Sequence, residues 1–322
     1  MTEMLLSIIH STELQYSARI SESVMELRVA PRSDHSQTLR GFGLSVGPEA
    51  AMFEHVDWLG NRVHHFSVVD FHDRLLIVAQ SVVEVRERWL SLAEASDEFE
   101  HQTPDFRHSD FLAFTGPVDR CDELGVLSRR LELEPRGRIA DAVARVMHDL
   151  RQQLQYEKGV TSSTSSVSDV LRAGAGVCQD FAQVAIGLLR GLRIPARYVS
   201  GYLFRAGSTE VETHAWVEAF ISSLGWVPID PTHGELASAG HVAVAIGRSF
   251  DDIPPNRGIF KGDAEESIRA RVEMQLVHEV PRSLLAPRPA PLHVPTYGEG
   301  PALHRENIDY QLEQQQQQQQ QQ

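Results

Sequence analysis

One cysteine, one histidine and one aspartate of this chain stand in contexts that suit a thiol nucleophile. Cys178 lies in the run Gly-Val-Cys-Gln-Asp-Phe-Ala, just before a helical pattern that extends to Leu192. His214 opens an apolar and aromatic run over 213–220, and Asp230 closes a second such run over 225–231. A cysteine at a helix start, with a histidine and an aspartate on neighbouring strands, is what nucleophilic catalysis by a thiol requires.

Each of the three residue types has a specific chemical role in catalysis by a thiol. Only the thiolate attacks a carbonyl carbon, and a helix N-terminus with a nearby imidazolium lowers the pKa of a thiol from about 8.5 to roughly 3.5–7.5. The unpaired N–H groups of the first helical turn, including that of Cys178, can hold the oxyanion that develops during acyl transfer. We expect His214 to activate the thiol and protonate the leaving amine, and Asp230 to orient the imidazole.

The pattern around the histidine and the aspartate predicts a β-hairpin. Ser222, Ser223 and Gly225 supply turn residues between two apolar runs, so 213–221 and 225–230 are predicted to pair antiparallel. His214 and Asp230 are then within a residue or two of being opposite each other. Pro228 cannot donate to a ladder, which predicts an edge strand or a bulge at that position.

The rest of the chain divides by its patterning. The amino-terminal part alternates polar and apolar residues in short runs between turn residues, which is typical of a small sandwich or barrel. Residues 87–135 contain short helical candidates, and Arg138 to Leu154 has helical spacing. A polar loop is predicted before the cysteine at 161–168. The strands predicted outside the hairpin are 13–20, 23–29, 44–46, a central strand over 75–85, and 268–277.

Four segments together resemble the bacterial transglutaminase-like family. Residues 1–85 resemble the β domain that often precedes that core, and 248–262 resemble its carboxy-terminal extension, with 87–135 the weakest part of the match. The resemblance implies a papain-like core whose Cys-His-Asp residues are Cys178, His214 and Asp230. The four segments are 176–182, 194–202, 213–218 and 230–232.

Two departures from the family's pattern concern the site. Gln183 stands where a histidine is expected at the end of the cysteine motif, and it is assigned no catalytic role. Eukaryotic transglutaminases hold the oxyanion with an upstream tryptophan, but here the upstream tryptophans, Trp58 and Trp89, are far from the motif. A backbone N–H or another side chain must replace the indole.

The predicted fold class is α+β, with an amino-terminal β-sandwich-like domain followed by a papain-like transglutaminase core. The predicted boundaries are 1–86 for the β domain, 87–135 for a helical linker region, 136–283 for the core with its extension, and 284–322 for an extended tail. That tail ends in Leu312, Glu313 and nine glutamines, which resemble a cloning scar and tag.

Composition excludes some partners. With 44 acidic and 30 basic residues, the formal charge is −14, so no basic excess exists to neutralise nucleic acid or an anionic membrane. The two cysteines, Cys121 and Cys178, form no disulfide framework and predict a reducing compartment. Residues 1–10 lack the features of a signal peptide, and no apolar run reaches the roughly 20 residues of a spanning helix. We therefore predict a cytoplasmic protein. The sequence makes no prediction of its oligomeric state.

Metal chemistry is the main competing reading of the site. Zinc could be imagined on His214, His233 and His241 together with Cys178, but the sequence has no CxxC, HExxH or similar ligand spacing. No acidic loop of the EF-hand type is present either. The sequence therefore predicts no metal and no cofactor.

Two further residues have a structural interpretation. Cys121 lies among acidic residues that would raise the pKa of its thiol, so it is interpreted as structural or incidental. Asp180 is interpreted first as support for its helix N-terminus.

The predicted activity is acyl transfer at an amide of a peptide or protein substrate. Hydrolysis, as by a cysteine protease or amidase, is preferred because nothing in the sequence identifies an amine site. Two alternatives stay open: transglutamination with an amine acceptor, and a non-enzymatic binding module.

Overall fold

The computed structural model describes residues 3–87, 90–101, 106–284 and 292 of the chain. The predicted tail therefore lies outside the described residues except for 284 and 292, and Trp89 lies outside them as well. The strands, in chain order, are β1 (Glu3–Ile20), β2 (Glu22–Leu27), β3 (Gln37–Gly47), β4 (Met52–Val56), β5 (Arg62–Val68), β6 (His72–Arg86), β7 (Gln155–Tyr156), β8 (Ala175–Gly176), β9 (Ala196–Leu203), β10 (Glu210–Val211), β11 (Thr213–Ile221), β12 (Gly225–Asp230), β13 (Glu235–Leu236), β14 (His241–Gly247), β15 (Asn256–Lys261) and β16 (Glu266–Leu276).

The four α-helices lie in the middle of the chain, between β6 and β9. The α-helices are α1 (Asp122–Arg130), α2 (Ile139–Asp149), α3 (Val167–Ala173) and α4 (Cys178–Gly191). Short 3-10 helices cover Leu92–Glu94, Phe99–His101, Phe106–Leu112, Leu150–Gln152, Phe250–Asp252 and Arg282–Leu284. Among the described residues, no helix is long and apolar enough to cross a membrane.

The amino-terminal strands form two sheets that pack face to face. One sheet has the order β10-β16-β1-β6-β3 and the other has the order β15-β2-β5-β4. Alternate side chains of both sheets point inward and build one apolar core, which includes Leu14, Met25, Phe66 and Ile77. This sandwich confirms the predicted β region, and β6 lies inside its sheet as predicted, between β1 and β3.

The last two strands return to the first ones. β15 pairs antiparallel with β2, and β16 pairs antiparallel with β1 in a register that sets Met274 opposite Ile8. β10, which comes from the middle of the chain, adds to the other edge of β16 with Val211 opposite Val272. The strand predicted over 268–277 is thus confirmed as β16. The chain that follows the core therefore completes the sheets that precede it.

The core consists of a second five-stranded sheet with helices on it. Its order is β13-β12-β11-β9-β14, and all its pairs are antiparallel. Helix α4 packs on β11 and β9, and it is buried along most of its length. Apolar side chains point outward on all sides of the helix, including Phe181, Ile186, Leu188 and Leu189. A helix that is apolar on all sides belongs in an interior. The fold is α+β, as predicted, with α4 at the centre of the core.

A small parallel pair prepares the start of α4. β7 pairs with β8 so that Tyr156 lies beside Gly176, two residues before Cys178. Helix α2 and its 3-10 extension, Leu150–Gln152, lead directly into β7 and confirm the helix predicted from 138 to 154. The polar loop predicted over 161–168 ends slightly earlier, because Ser166 caps α3 through a hydrogen bond to the N–H of Asp169.

Candidate active site

Cys178 is the first residue of α4 and is half-buried. The start of the helix is fixed by Asp180, whose Oδ2 accepts hydrogen bonds from the Val177 N–H (2.8 Å) and the Thr161 hydroxyl (2.6 Å). Burial raises the pKa of Asp180, against these two hydrogen bonds. The interpretation of Asp180 as support for its helix is confirmed by this geometry. The cysteine thus lies where the positive end of a helix dipole favours a thiolate.

Gly176 is required by the same carboxylate. A Cβ at this position would lie 2.5 Å from Oδ2 of Asp180 and 2.7 Å from its Cβ. The approach of the chain to Cys178 is therefore possible only without a side chain at this position.

The hairpin that carries the other two residues is the predicted one. Val217 is paired with Ile229 and Ile221 with Gly225, which sets Asp230 opposite Trp216, two positions from His214. His214 and Trp216 point to the same face of β11 because side chains alternate along a strand. β12 lies between β11 and the two-residue β13 and pairs with β11 in an unbroken register, so the predicted edge strand or bulge at Pro228 is wrong. The proline is tolerated because β13 pairs only with Ile229 and Asp230.

This register brings the histidine and the aspartate into direct contact. Nε2 of His214 lies 2.8 Å from Oδ2 of Asp230. The Asp230 side chain is fully buried and that of His214 is 9% exposed. The other ring nitrogen, Nδ1, is left to face Cys178, which lies close enough to raise the pKa of His214. The three sequence-predicted residues therefore form one continuous chain of contacts from Cys178 through His214 to Asp230.

Two more histidines converge on the same carboxylate oxygen. Oδ2 of Asp230 also lies 2.6 Å from Nδ1 of His233 and 3.1 Å from Nε2 of His241. Oδ1 accepts from the backbone N–H groups of Thr232 (2.9 Å) and His233 (3.2 Å). Burial opposes the charge of Asp230, but the hydrogen bonds from His214, His241 and His233 hold the pKa of its carboxyl far below the usual range. The carboxylate is therefore ionised at neutral pH.

The outer nitrogens of these two histidines fix their tautomers. Nδ1 of His241 accepts a hydrogen bond from the backbone N–H of Ser238 (3.0 Å), so the ring proton is on Nε2 and points to Asp230. Nε2 of His233 accepts from the guanidinium of Arg205, so its proton is on Nδ1. Backbone N–H and guanidinium groups only donate, so the outer nitrogen of each ring is the acceptor in its contact.

The protonation of His214 follows from its neighbours. Burial lowers its pKa, but the hydrogen bonds to Asp230 and Cys178 and the charges of both groups outweigh that effect and raise the pKa to about 9. The imidazolium is thus the stable form of His214 at neutral pH. It lies directly beside the thiol.

The histidines could also be considered as metal ligands. Ligand atoms of His214, Asp230 and His241 all lie within 4.8 Å of one another. However, the Nε2 that His241 would offer carries the proton that the Ser238 contact fixes there. The donor set fits a hydrogen-bonded carboxylate rather than a cation, and the absence of a metal from the working protein stays a prediction.

A cavity of about 870 Å³ opens beside His214. Tyr156 and Phe181 form part of its wall. Burial raises the pKa of the Tyr156 phenol, and the charge of nearby Cys178 raises it further, so its hydroxyl is a proton donor at neutral pH. No pattern in the sequence points to Tyr156, because its place beside Gly176 depends on the long-range pairing of β7 with β8.

Gln183 has no part in this network. Its side chain is fully buried, and neither its amide nitrogen nor its amide oxygen has a partner among the described residues. Trp58 is 64% exposed and stacks on Phe111 in another part of the structure.

Two family descriptions match the chain. The transglutaminase-like superfamily matches residues 127–231, and the bacterial transglutaminase-like N-terminal region matches residues 6–84. An uncharacterized protein of Mycobacterium leprae is 30% identical over 286 residues, which are 86% of this chain and 98% of that relative. The chain belongs to the transglutaminase-like superfamily and has the associated amino-terminal region.

Two other similar proteins have names that describe an enzymatic activity. A solved structure from Cytophaga hutchinsonii, described as a candidate cysteine protease, superposes with a TM-score of 0.74 at 22% identity and covers 87% of this chain and 93% of that one. It shows the same fold. A protein-glutamine gamma-glutamyltransferase of Pseudomonas aeruginosa is 31% identical over 123 residues, which are 35% of this chain and 17% of that relative. The superfamily to which the chain belongs is generally enzymatic.

Proposed function

We propose that the protein catalyses thiol-dependent acyl transfer at an amide of a peptide or protein, with water as the usual acceptor. Cys178 is the nucleophile, His214 moves the proton and Asp230 orients the histidine. The observation that carries the proposal is the continuous chain of contacts from Cys178 to His214 and on to a buried, ionised Asp230.

The first half-reaction forms a thioester. The thiolate of Cys178 attacks the carbonyl carbon, and the carbonyl oxygen becomes an oxyanion. The imidazolium of His214 then gives its Nδ1 proton to the amide nitrogen, the carbon–nitrogen bond breaks, and ammonia or an amine leaves. Nε2 of His214 stays hydrogen-bonded to Asp230 throughout, so the imidazole ring does not rotate between the steps.

The second half-reaction consumes water. Neutral His214 accepts a proton from the attacking water, the carbon–sulfur bond breaks, and a carboxylic acid is released. The thiolate and the imidazolium are restored together. The raised pKa of His214 suits this cycle, because the imidazolium that the first step uses is the form of His214 at neutral pH.

The oxyanion needs donors in a chain that lacks the upstream indole. The backbone N–H of Cys178 at the helix start is one, and we assign the hydroxyl of Tyr156 as the second. Three facts support Tyr156: β7 lies beside β8 just before the nucleophile, the phenol lines the cavity with His214, and its pKa is affected by Cys178.

Transfer to an amine is the second candidate, and the similarity to the Pseudomonas aeruginosa gamma-glutamyltransferase favours it. The two outcomes share the thioester and differ only in its acceptor. Ammonia release and hydroxamate formation, measured with a glutamine-containing peptide and added hydroxylamine, report how the intermediate divides between water and an amine.

The proposal is tested by alkylation of Cys178 with iodoacetamide as a function of pH, followed by peptide mass spectrometry. We expect fast modification down to about pH 6, and a slower reaction in His214→Ala. Cys121 is the internal control, because burial and the charges of Asp119 and Glu123 raise the pKa of its thiol.

The companion measurement is turnover by Cys178→Ala, which should be absent. Amide cleavage that survives this substitution would contradict the proposal. A Cys178 that reacts only near the usual thiol pKa of about 8.5 would favour the binding-module alternative.

A further inference from the structure

The cavity beside His214 has a charge opposite to that of the whole chain. Arg151, Arg205 and Arg271 all line it, whereas Glu212 is the acidic side chain in its lining, and that carboxylate pairs with Lys158. The chain as a whole carries a formal charge of −14. Three guanidinium groups around one cavity in such an acidic protein concentrate positive potential where the substrate would enter.

The three arginines come from separate parts of the chain. Arg151 follows helix α2, and Arg205 follows strand β9. Both reach His233: Nη1 of Arg151 lies 3.3 Å from its carbonyl oxygen, and Arg205 donates to its ring. Arg271 lies on β16, paired with β1, so the amino-terminal sandwich supplies the facing wall.

Arg151 and Arg205 keep donors for a ligand. Each guanidinium has five N–H groups in a planar fork, and the contacts with His233 use one donor of each. Arg271 is 61% exposed and pairs with Glu273 at 3.3 Å. A guanidinium fork matches a carboxylate through two parallel hydrogen bonds.

We propose that this cleft selects acyl donors with a carboxylate within a residue or two of the reacting amide, that is, acidic peptides. The inference rests on the proposed function and adds a substrate class to it. A long polyanion such as nucleic acid fits less well, because beyond the cavity it would meet the surface of a protein with 44 acidic and 30 basic residues. A short acidic segment places its charge only where the arginines are.

The test compares two alkylating reagents that differ in charge, iodoacetate and iodoacetamide. Their rate constants at Cys178 are measured in the folded protein and in the same chain unfolded in urea, and the ratio in the unfolded chain corrects for intrinsic reactivity. We expect folding to favour iodoacetate by about tenfold, since a cleft with charge of one sign concentrates the opposite ion. The preference should weaken with added salt.

Arg271 and Arg151 are the informative substitutions, because both line the cavity and neither is part of the Cys178–His214–Asp230 chain. Arg271→Ala and Arg151→Ala should each lower the iodoacetate preference by about twofold to fivefold. The matched control is Arg269→Ala, which removes the same charge two residues earlier on β16, outside the cavity lining. Arg271→Lys should retain most of the preference.

A second arm uses peptide pairs in which a central glutamine is flanked either by glutamates or by glutamines. We expect kcat/KM for the acidic peptide to exceed that of its partner by about tenfold, and Arg271→Ala to remove most of that difference. Both peptides contain the reacting glutamine, so ammonia release measures kcat/KM for each of them.

The outcomes separate this inference from the proposed function. If Cys178 reacts with neither reagent, both ideas fail. If it reacts rapidly with iodoacetamide but folding gives iodoacetate no advantage, or if Arg269→Ala acts as strongly as Arg271→Ala, the acidic-substrate inference alone is overturned.

Discussion

Tyr156 is the residue whose proposed role can be separated most sharply from the thiol itself. Tyr156→Phe should lower kcat for amide cleavage by about 10²–10³-fold, because one oxyanion donor is lost. The same substitution should leave the rate of Cys178 alkylation by iodoacetamide unchanged, since displacement of iodide forms no oxyanion. A parallel loss in both reactions would show that Tyr156 only maintains the structure around the cysteine.

The pKa of His214 predicts how stability depends on pH. The group has a pKa of about 9 in the folded protein against an ordinary value of 6.5, so the folded state binds the proton more tightly. This contribution is fully present below pH 6.5 and is lost as pH rises to 9, with an upper limit of about 3 kcal/mol. Urea unfolding at a series of pH values measures it.

The matched variant for this measurement is Cys178→Ala. Because Cys178 raises the pKa of His214 through a hydrogen bond and through charge, its removal should make the decline between pH 6.5 and 9 shallower. An identical decline in both proteins would mean that the thiol and the imidazole are not coupled.

The buried side chain of Gln183 in α4 is expected to lower the free energy of unfolding. Its amide is fully buried and has no hydrogen-bond partner among the described residues, which is unfavourable for a polar group. Gln183→Met should raise the free energy of unfolding by about 1–2 kcal/mol. Gln179→Met is the control on the same helix, because the amide of Gln179 donates to the carbonyl oxygen of Ser163 and its loss brings no such gain.

At the scale of elements, Gly201 on β9 lets the core sheet carry the site. A Cβ there would lie 2.1 Å from the carbonyl oxygen of Val242 and 2.7 Å from the indole of Trp216. That indole packs against the rings of both His214 and His241. The glycine therefore makes the space in which the histidines are arranged.

Gly201→Ala should reduce the free energy of unfolding by about 3 kcal/mol or more, since neither the backbone oxygen nor the packed ring can move cheaply. Gly191→Ala is the control, because a Cβ at the end of α4 meets nothing within 4 Å and alanine suits a helix better. Equal effects of the two substitutions in urea unfolding would contradict this account of Gly201.

The hairpin shows what sequence patterning can reach. A short turn between two apolar runs fixes the register closely, and the predicted proximity of His214 and Asp230 was confirmed. His233 and His241 were considered only as metal ligands, because a sequence does not show that three rings meet one oxygen. Tyr156 was missed for the same physical reason, since its position depends on a parallel pair formed across α3 and the loop before it.

At the scale of the whole molecule, β15 and β16 join the two ends of the chain. The pattern predicted a strand over 268–277, but no local signal states that it pairs with β1. Such pairings depend on which edges remain open after the rest has folded, and that is a property of the assembled sheets. The predicted domain boundaries at 86, 135 and 283 stay predictions.

Truncation tests how much the pairing of β15 with β2 and of β16 with β1 contributes to the folded protein. A chain that ends at residue 255 lacks both strands, so one edge of β1 and one edge of β2 are left open and Arg271 is absent from the cleft. We expect it to be insoluble or to aggregate on purification. A chain that ends at residue 284 should remain soluble and should show the same Cys178 alkylation rate as the full chain. Light scattering and soluble yield measure the difference.

The pairing of Ile8 with Met274 also sets the order of events during synthesis. At 5–20 residues per second, the ribosome needs roughly 13–53 s to make the chain that separates these two residues. Cys178, His214 and Asp230 are all translated before that interval ends, while the hydrogen-bonding edge of β1 still lacks its final partner. The wall that bears Arg271 closes last, so we expect a nascent chain to hold a formed nucleophile in a cleft that cannot yet select its substrate.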